Sequence, residues 1–526
     1  MEWISTAQSS PLVQTSLLLI AAISALLLWR WSGQRGAAAA HWPPGPPAWP
    51  IIGHLHLLGH LPHQSLAKLA QTYGPLMGLR LGGVQTIVAS SPQMAKEILQ
   101  THDVAMAYRP RTAAVVHMYF DGKDMGFAPY GPFWRRMRQL CATELFSAKR
   151  LASSRHVREE EAHDLARMVA EMGKRGQKEV ELRASLLAAS NNITCRMAMG
   201  KKLADVSGGH GGKHSLLSLT EELLLLLAVF YVGDFIPWLW WLDPHRYLPR
   251  MKATGLEAKA LMQELIDQRR QKPQRASPQD LLDVLLAAAA DPKQEIPITD
   301  DNIMGLILDL FAGGSDTSSV TVEWALANLI NNPQAMHKLQ EELKSVVGEE
   351  RFVTEDDIDN LPYLGSVLKE SMRLHPTVPL LLPHECRQEC QIGGYKVPSK
   401  TRVYVNTWAI GRDPTVWERS LDFWPERFDK NKLDLRGQNF ELLPFGAGRR
   451  GCPGWALGLL NVHLMVATLV QSFTWSLKSP SCSPNCPSNM TQRLDMSERF
   501  GLTVTMDKPL CAFATPRLSF PLFGLL

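Results

Sequence analysis

Phe445-Gly446-Ala447-Gly448-Arg449-Arg450-Gly451-Cys452-Pro453-Gly454 is the stretch that decides what this chain folds around. Its glycines leave the backbone free to fold tightly beside a flat ligand, and a lone cysteine sits among them. An apolar helical run, from Trp455 to Phe473, follows at once. That order puts the Cys452 sulfur near a helix N-terminus, where amide dipoles favour an anion. Such a setting lowers a thiol's pKa and favours metal ligation, and backbone N–H donors to the sulfur tune a bound metal. The plain alternative is a buried structural cysteine in a loop.

Working outward, Ala312-Gly313-Gly314-Ser315-Asp316-Thr317-Ser318 lies inside a long apolar helical pattern that runs from Asp300 to Ile330. Two adjacent glycines cost roughly 2 kcal/mol of helix propensity, so their presence needs a reason. Close approach to a flat cofactor, with a locally opened helix, supplies one. A capping Asp-Thr in a helix break is the bland reading. Glu370-Ser371-Met372-Arg373 sets two opposite charges at i,i+3 on one helix face. Alone that pair carries little, but Pro425-Glu426-Arg427-Phe428 follows it along the chain.

Together these segments resemble the cytochrome P-450 superfamily, whose signature is Phe-x-x-Gly-x-Arg-x-Cys-x-Gly. Phe445, Gly448, Arg450, Cys452 and Gly454 fill every fixed position. At ordinary residue frequencies, chance gives that match in fewer than about one in a thousand chains of this length, so the signal is specific. The resemblance implies a haem-thiolate monooxygenase: an oxidoreductase that binds haem b (iron-protoporphyrin IX), with Cys452 as the axial ligand to the iron. Phe445 belongs to the same cofactor-binding loop. Trp134 and Arg138 match the family's Trp-x-x-x-Arg helix, and with Arg450 and with His384 of Pro383-His384-Glu385 they are expected at the haem propionates. An arginine suits that task because its planar fork pairs with a carboxylate. Glu370, Arg373 and Arg427 take a structural role, locking the core behind the haem. Asp316 and Thr317 match the catalytic acid–alcohol pair: Thr317 hydrogen-bonds the oxygen being activated, and Asp316 relays protons. Electrons must come from a partner, which the resemblance gives as NADPH–cytochrome reductase, with Arg135, Arg136, Lys149 and Arg150 as candidate contacts.

The rest of the chain fits this frame. It has 526 residues, 45% hydrophobic and 20% charged, enough for a large core, and its net charge of +4 gives no case for nucleic-acid binding. Helical patterns dominate at Leu216 to Tyr231, Met251 to Arg270 and Pro333 to Val347, with β-type stretches at Leu76 to Ser90 and Thr401 to Asn406. The fold class is therefore mainly α with a minor β region, a single catalytic domain over 51–526. Eight cysteines are too sparse for a disulfide scaffold. Cys386/Cys390 and Cys482/Cys486 read as ordinary thiols, or at most a small loop cross-link.

From Pro11 to Trp29 no residue is charged. At about 1.5 Å per residue that run spans roughly 28 Å, close to the bilayer core. Arg30 and Arg35 follow it, so the positive-inside rule puts the bulk of the chain in the cytosol. The expected architecture is a single-pass N-terminal transmembrane anchor (1–35), a stiff proline-rich hinge (36–50), and the catalytic domain at the endoplasmic reticulum membrane. A cleaved signal peptide is the competing reading, disfavoured because the positive charge lies after the apolar run. On this topology the sequons at Asn192 and Asn489 stay unmodified.

Segments expected to face substrate are 117–120, Phe311 and Ala312, 377–382 and 500–503, mostly apolar. Details such as Phe127-Ala128-Pro129-Tyr130-Gly131-Pro132 and Glu323-Trp324-Ala325 resemble the plant A-type branch, which is rich in hydroxylases of phenylpropanoids and flavonoids. A small lipophilic aromatic secondary metabolite is thus the leading substrate class. Fatty-acid or terpenoid hydroxylation stays open, as does a non-oxygenating isomerase or lyase and a haem sensor.

Overall fold

The computed structural model describes residues 41–174, 179–206, 216–271, 280–293, 295–429, 433–477 and 493–524. The expected anchor, the Asn489 sequon, Cys482 and Cys486 lie outside these residues. Helices dominate: α1 (Pro62–Tyr73), α2 (Pro132–Glu144), α3 (Arg155–Lys174), α4 (Arg183–Met199), α5 (Leu216–Ala228) and α6 (Tyr247–Arg270) precede the centre of the molecule. There α7 (Asp300–Gly314) and α8 (Asp316–Asn331) run in succession, followed by α9 (Pro333–Val346), α10 (Pro362–Leu374) and α11 (Trp455–Ser472). Every helix expected from periodicity is present, with ends shifted by a few residues.

The structure divides one expected run. Asp300 to Ile330 breaks at Ser315, where two glycines weaken the helix and the Thr317 hydroxyl donates to the Gly313 carbonyl at 2.7 Å. The N-terminal end of α7 is firmly set by a capping box between Thr299 and Asn302.

The predicted β stretch from Leu76 to Ser90 is a hairpin of β1 (Leu76–Leu81) and β2 (Val84–Ala89). Gly82 turns it at φ 60°, with the Phe235 carbonyl 2.6 Å from where a Cβ would stand, so only glycine fits. A four-stranded sheet results, in the order β1-β2-β4-β3, with β3 (His384–Glu385) and β4 (Arg402–Val405). β2 and β4 are parallel, with Ile87 opposite Val403. The proline-rich segment covers the edge strand β1: the Gly78 amide donates to the Pro44 carbonyl at 2.8 Å, and Gly45 lies directly against the Gly78 carbonyl. A smaller sheet pairs β5 (Phe473–Ser476) with the C-terminal strand Cys511–Pro516, and β6 (Glu498–Arg499) pairs with β7 (Thr505–Met506).

The core gathers around α8, α10 and α11, and α11 also packs on α3. Among the described residues only α11 is long and apolar enough to cross a membrane, yet it is mostly buried and serves as a core helix. Trp324 of α8 is fully buried, stacks on His375 at 4.0 Å and donates its indole N–H to the Val504 carbonyl at 3.0 Å. That contact ties the C-terminal segment to the central helix. Asn192 of the sequon lies within α4 and is half-buried, its side-chain amide bonded to Glu161 and to the Leu203 amide.

Candidate active site

Two segments approach each other across an internal cavity of about 330 Å³: the α7–α8 break and the loop from Phe445 to Gly454. On the helix side, Asp309, Ala312, Gly313 and Thr317 line it. A Cβ at Gly313 would meet nothing within 4 Å, so the missing side chain leaves the helix wall open beside Thr317.

Across the cavity, Cys452 is half-buried and faces inward. Its amide donates to the Phe445 carbonyl at 2.8 Å, and the loop closes with Gly451 N–H on the Gly448 carbonyl at 3.1 Å. Burial pushes the Cys452 thiol up, while the Gly454 amide and the Arg138 charge pull it back down. A lone thiol does stand just before α11 with a backbone donor aimed at sulfur, but burial outweighs that donor, so the expected lowering of the thiol's pKa is not seen.

A third wall is cationic. Arg138, Arg450 and His384, three of the expected residues, line it together with Arg109, which sequence reasoning missed. Among the described residues no carboxylate lies within the 4 Å of an ion pair with Arg109, Arg138 or Arg450. Arg450 donates to the carbonyls of Ala107 (2.7 Å), Met125, Gly126 and Ala128. Arg109 reaches Gly126, Leu382 and Pro383 carbonyls. Burial lowers the pKa of all three arginines, a cost that an anion in the cavity would relieve. His384 is buried with Nδ1 on the Met106 carbonyl at 2.7 Å; burial first, then Arg109, holds its pKa well down. Trp134 packs beneath Arg450 at 4.8 Å, but its indole N–H goes to the Met125 carbonyl at 3.0 Å rather than into the cavity. An unpaired thiol opposite an open helix, with buried cations that no described carboxylate ion-pairs, fits a flat dianionic metal macrocycle.

A family model described as cytochrome P450 matches residues 43–502. The chain belongs to the cytochrome P450 family. A flavonoid 3'-monooxygenase of Petunia hybrida is 42% identical over 90% of this chain and 92% of its own length. The phenylacetaldehyde oxime monooxygenase of Prunus mume is 40% identical over 90% of this chain and 89% of its own. A zebra fish cytochrome P450 structure with progesterone matches at TM-score 0.72 and 28% identity, over 87% of this chain and 99% of that one. This P450 is a monooxygenase whose cofactor is haem with a thiolate ligand.

The remaining expected residues of the P450 fall as follows. Glu370, Arg373 and Arg427 meet in one buried cluster behind the cavity: Glu370 accepts from Arg373 at 2.8 Å and from Arg427 at 3.0 Å. Asp316 does not line the cavity; its carboxylate is bonded to the Thr503 hydroxyl. Of the expected substrate segments, Tyr119, Ala312, Thr377, Val378, Leu381, Leu382, Leu502 and Thr503 line the cavity. Phe311 instead is buried in the core, 1% exposed, because one residue along a helix turns the side chain by about 100°. Phe500 also departs from expectation, standing at the surface near His63. Cys386 and Cys390 are free thiols 3.8 Å apart. Asp309 carried a readable signal, a single charge within an apolar stretch.

Proposed function

We propose that this P450 hydroxylates a lipophilic aromatic metabolite of the phenylpropanoid or flavonoid type at the endoplasmic reticulum membrane, drawing electrons from NADPH–cytochrome reductase. What carries the site assignment is the thiol of Cys452 facing Thr317 across a cavity whose arginines form no ion pair among the described residues. The flavonoid 3'-monooxygenases among the relatives and the largely apolar lining favour the substrate class.

Bound haem supplies dioxygen activation and insertion of one oxygen atom, using two electrons and two protons. Cys452 would supply the sulfur ligand to the iron, and the Gly454 amide would temper its charge. Arg109, Arg138 and Arg450 would hold the propionates, with His384 beside them, and Trp134 would contribute packing. Phe445 shields the sulfur side against α11, its ring 3.5 Å from the Cβ position of Gly458. Thr317 lines the cavity, its hydroxyl donating to the Gly313 carbonyl, and Asp316 next to it stores the proton for relay. Lys149 and Arg150 follow Phe146, whose ring touches Gly454, so a reductase docked there sits on the sulfur side. The uncharged 11–29 run anchors the chain, with the hinge packed on β1.

Two measurements test this reading. Cys452→Ser should abolish the long-wavelength carbon monoxide difference band, and a variant that keeps the band refutes the ligand assignment. A binding screen of flavonoid, phenolic, fatty-acid and terpenoid compounds should shift the haem spectrum with aromatic ligands first. A response confined to fatty acids or terpenoids overturns the substrate class.

A further inference from the structure

Asp316 opens α8, and its carboxylate is turned away from the cavity toward the C-terminal segment. The hydroxyl that meets it belongs to Thr503, which does line the cavity, next to Leu502. This meeting is not the accident of a loose loop. The Val504 amide donates to the Thr377 carbonyl at 2.8 Å, and the Val504 carbonyl takes the Trp324 indole at 3.0 Å. Thr377 in turn bonds Thr321 of α8 at 2.9 Å. Gly501 makes the bend before it, since a Cβ there would stand 2.9 Å from the Thr503 carbonyl.

We infer that Thr503 is a positioning residue for Asp316, holding the carboxylate so that proton delivery is tied to the loop that touches substrate. The inference rests on the reading of Asp316 as the proton-storing acid. Among the described residues no basic group is ion-paired with Asp316, so the hydroxyl is its one direct side-chain partner. Charges do face it from neighbouring elements: Arg183 of α4 and Arg499 of β6 favour ionisation, and Glu323 of α8 lies near, itself paired with Arg183 at 3.1 Å. Burial raises Asp316, and the Thr503 hydrogen bond opposes that rise. Removing the hydroxyl leaves burial less opposed.

The test uses the full-length, haem-loaded chain with isotope-labelled aspartate, titrated by infrared spectroscopy, with Asp316→Asn to assign the band. Thr503→Val should raise the Asp316 midpoint by about one pH unit, and Thr503→Ser should restore it. In reductase-driven NADPH oxidation, with the flavanone naringenin and without it, Thr503→Val should release up to about tenfold more peroxide per NADPH, and Thr503→Ser should not. Added to Asp316→Asn, the valine change should have no further effect. Thr503→Ala serves as the second hydroxyl-free variant if valine lowers haem loading. A wild-type midpoint in the hydroxyl-free variants, or a serine variant that behaves like valine, overturns the proposal. Loss of the carbon monoxide band in the wild-type chain would instead defeat the haem-thiolate reading, and the infrared titration stands apart from it.

Discussion

Asp124 and Asp309 bury their carboxyl groups against each other at the edge of the cavity. Asp309 Oδ2 also accepts the Met125 and Gly126 amides at 2.7 and 3.1 Å, and Asp124 Oδ2 accepts the Phe127 amide at 3.0 Å. The carbonyls of that same loop hold Arg109 and Arg450, so the acid pair props up the cationic wall. Burial raises both acids above the ordinary 3.8, and two carboxylates in contact cannot both ionise, so they share a proton. The folded state therefore holds protons that the unfolded chain has lost. Its contribution to stability is full below the ordinary carboxylate pKa and is lost as pH rises above it. Asp124→Asn keeps an N–H donor without ionising, and should flatten the fall in unfolding free energy between about pH 4 and pH 7. Denaturant melts across that range check it; an unchanged slope would show that the pair holds no shared proton.

Glu370 collects four donors with no exposure to water: two from Arg373, one from Arg427 and the Trp424 amide at 2.8 Å. Arg373 also reaches the Ser420 carbonyl at 2.6 Å, so the cluster pins the segment between α10 and the Cys452 loop. Glu370→Ala leaves two guanidinium groups buried without their counter-charge. A loss of about 3–5 kcal/mol is expected, read by urea unfolding, together with reduced haem retention. A loss below about 1 kcal/mol would mean that the arginines are held by carbonyls alone.

How far the chain could be read before its structure follows from the kind of interaction. The Phe445–Gly454 loop, the Gly313-Gly314 break and the long helices are local, dictated by residues adjacent in sequence, and each appears where expected. Glu370 with Arg427, and Arg138 with Cys452, were legible only because their motifs resemble a family's. Arg109 was not legible, since it acquires its partners from segments far along the chain, and Thr503, though inside an expected cavity segment, could not be paired with Asp316 for the same reason. Phe311 shows the remaining error: an apolar residue beside a cavity-lining one belongs to the core when the helix turns it there.

Glu498, on β6, is buried among His63 Nε2 at 2.7 Å, Gln64 Nε2 at 2.6 Å and Trp408 Nε1 at 3.1 Å. Burial alone would raise its pKa, but His375, His63 and Arg412 outweigh burial and hold it below the ordinary 4.5. Its stabilisation is therefore present above that pH and fades as pH falls below it. Glu498→Gln should cost about 2–4 kcal/mol near neutral pH, with the gap to wild type narrowing in acid. Because β6 leads directly into the cavity-lining Leu502 and Thr503, ligand affinity should weaken as well. A gap that stays constant with pH would mean that the carboxylate charge plays no part.

Gly446 and Gly448 both take left-handed backbone, at φ 65° and 68°, yet they should respond differently to alanine. At Gly446 the nearest atom to an added Cβ is Leu381 Cδ1 at 3.7 Å, ordinary contact, so only the backbone strain of about 1–2 kcal/mol remains. At Gly448 the Leu99 carbonyl oxygen stands 2.1 Å away and the Asp103 carboxylate 3.0 Å away. Asp103 holds the Arg449 amide and guanidinium, so it cannot retreat without releasing the loop. Overpacking adds about 1–3 kcal/mol to the strain there, and the displaced loop carries Cys452 with it. Gly448→Ala should therefore lose haem on mild heating while Gly446→Ala keeps it, measured by the carbon monoxide band after incubation. Equal retention in the two variants would show that the loop tolerates a shift at Leu99, and that glycine is required at position 448 for its backbone angle alone.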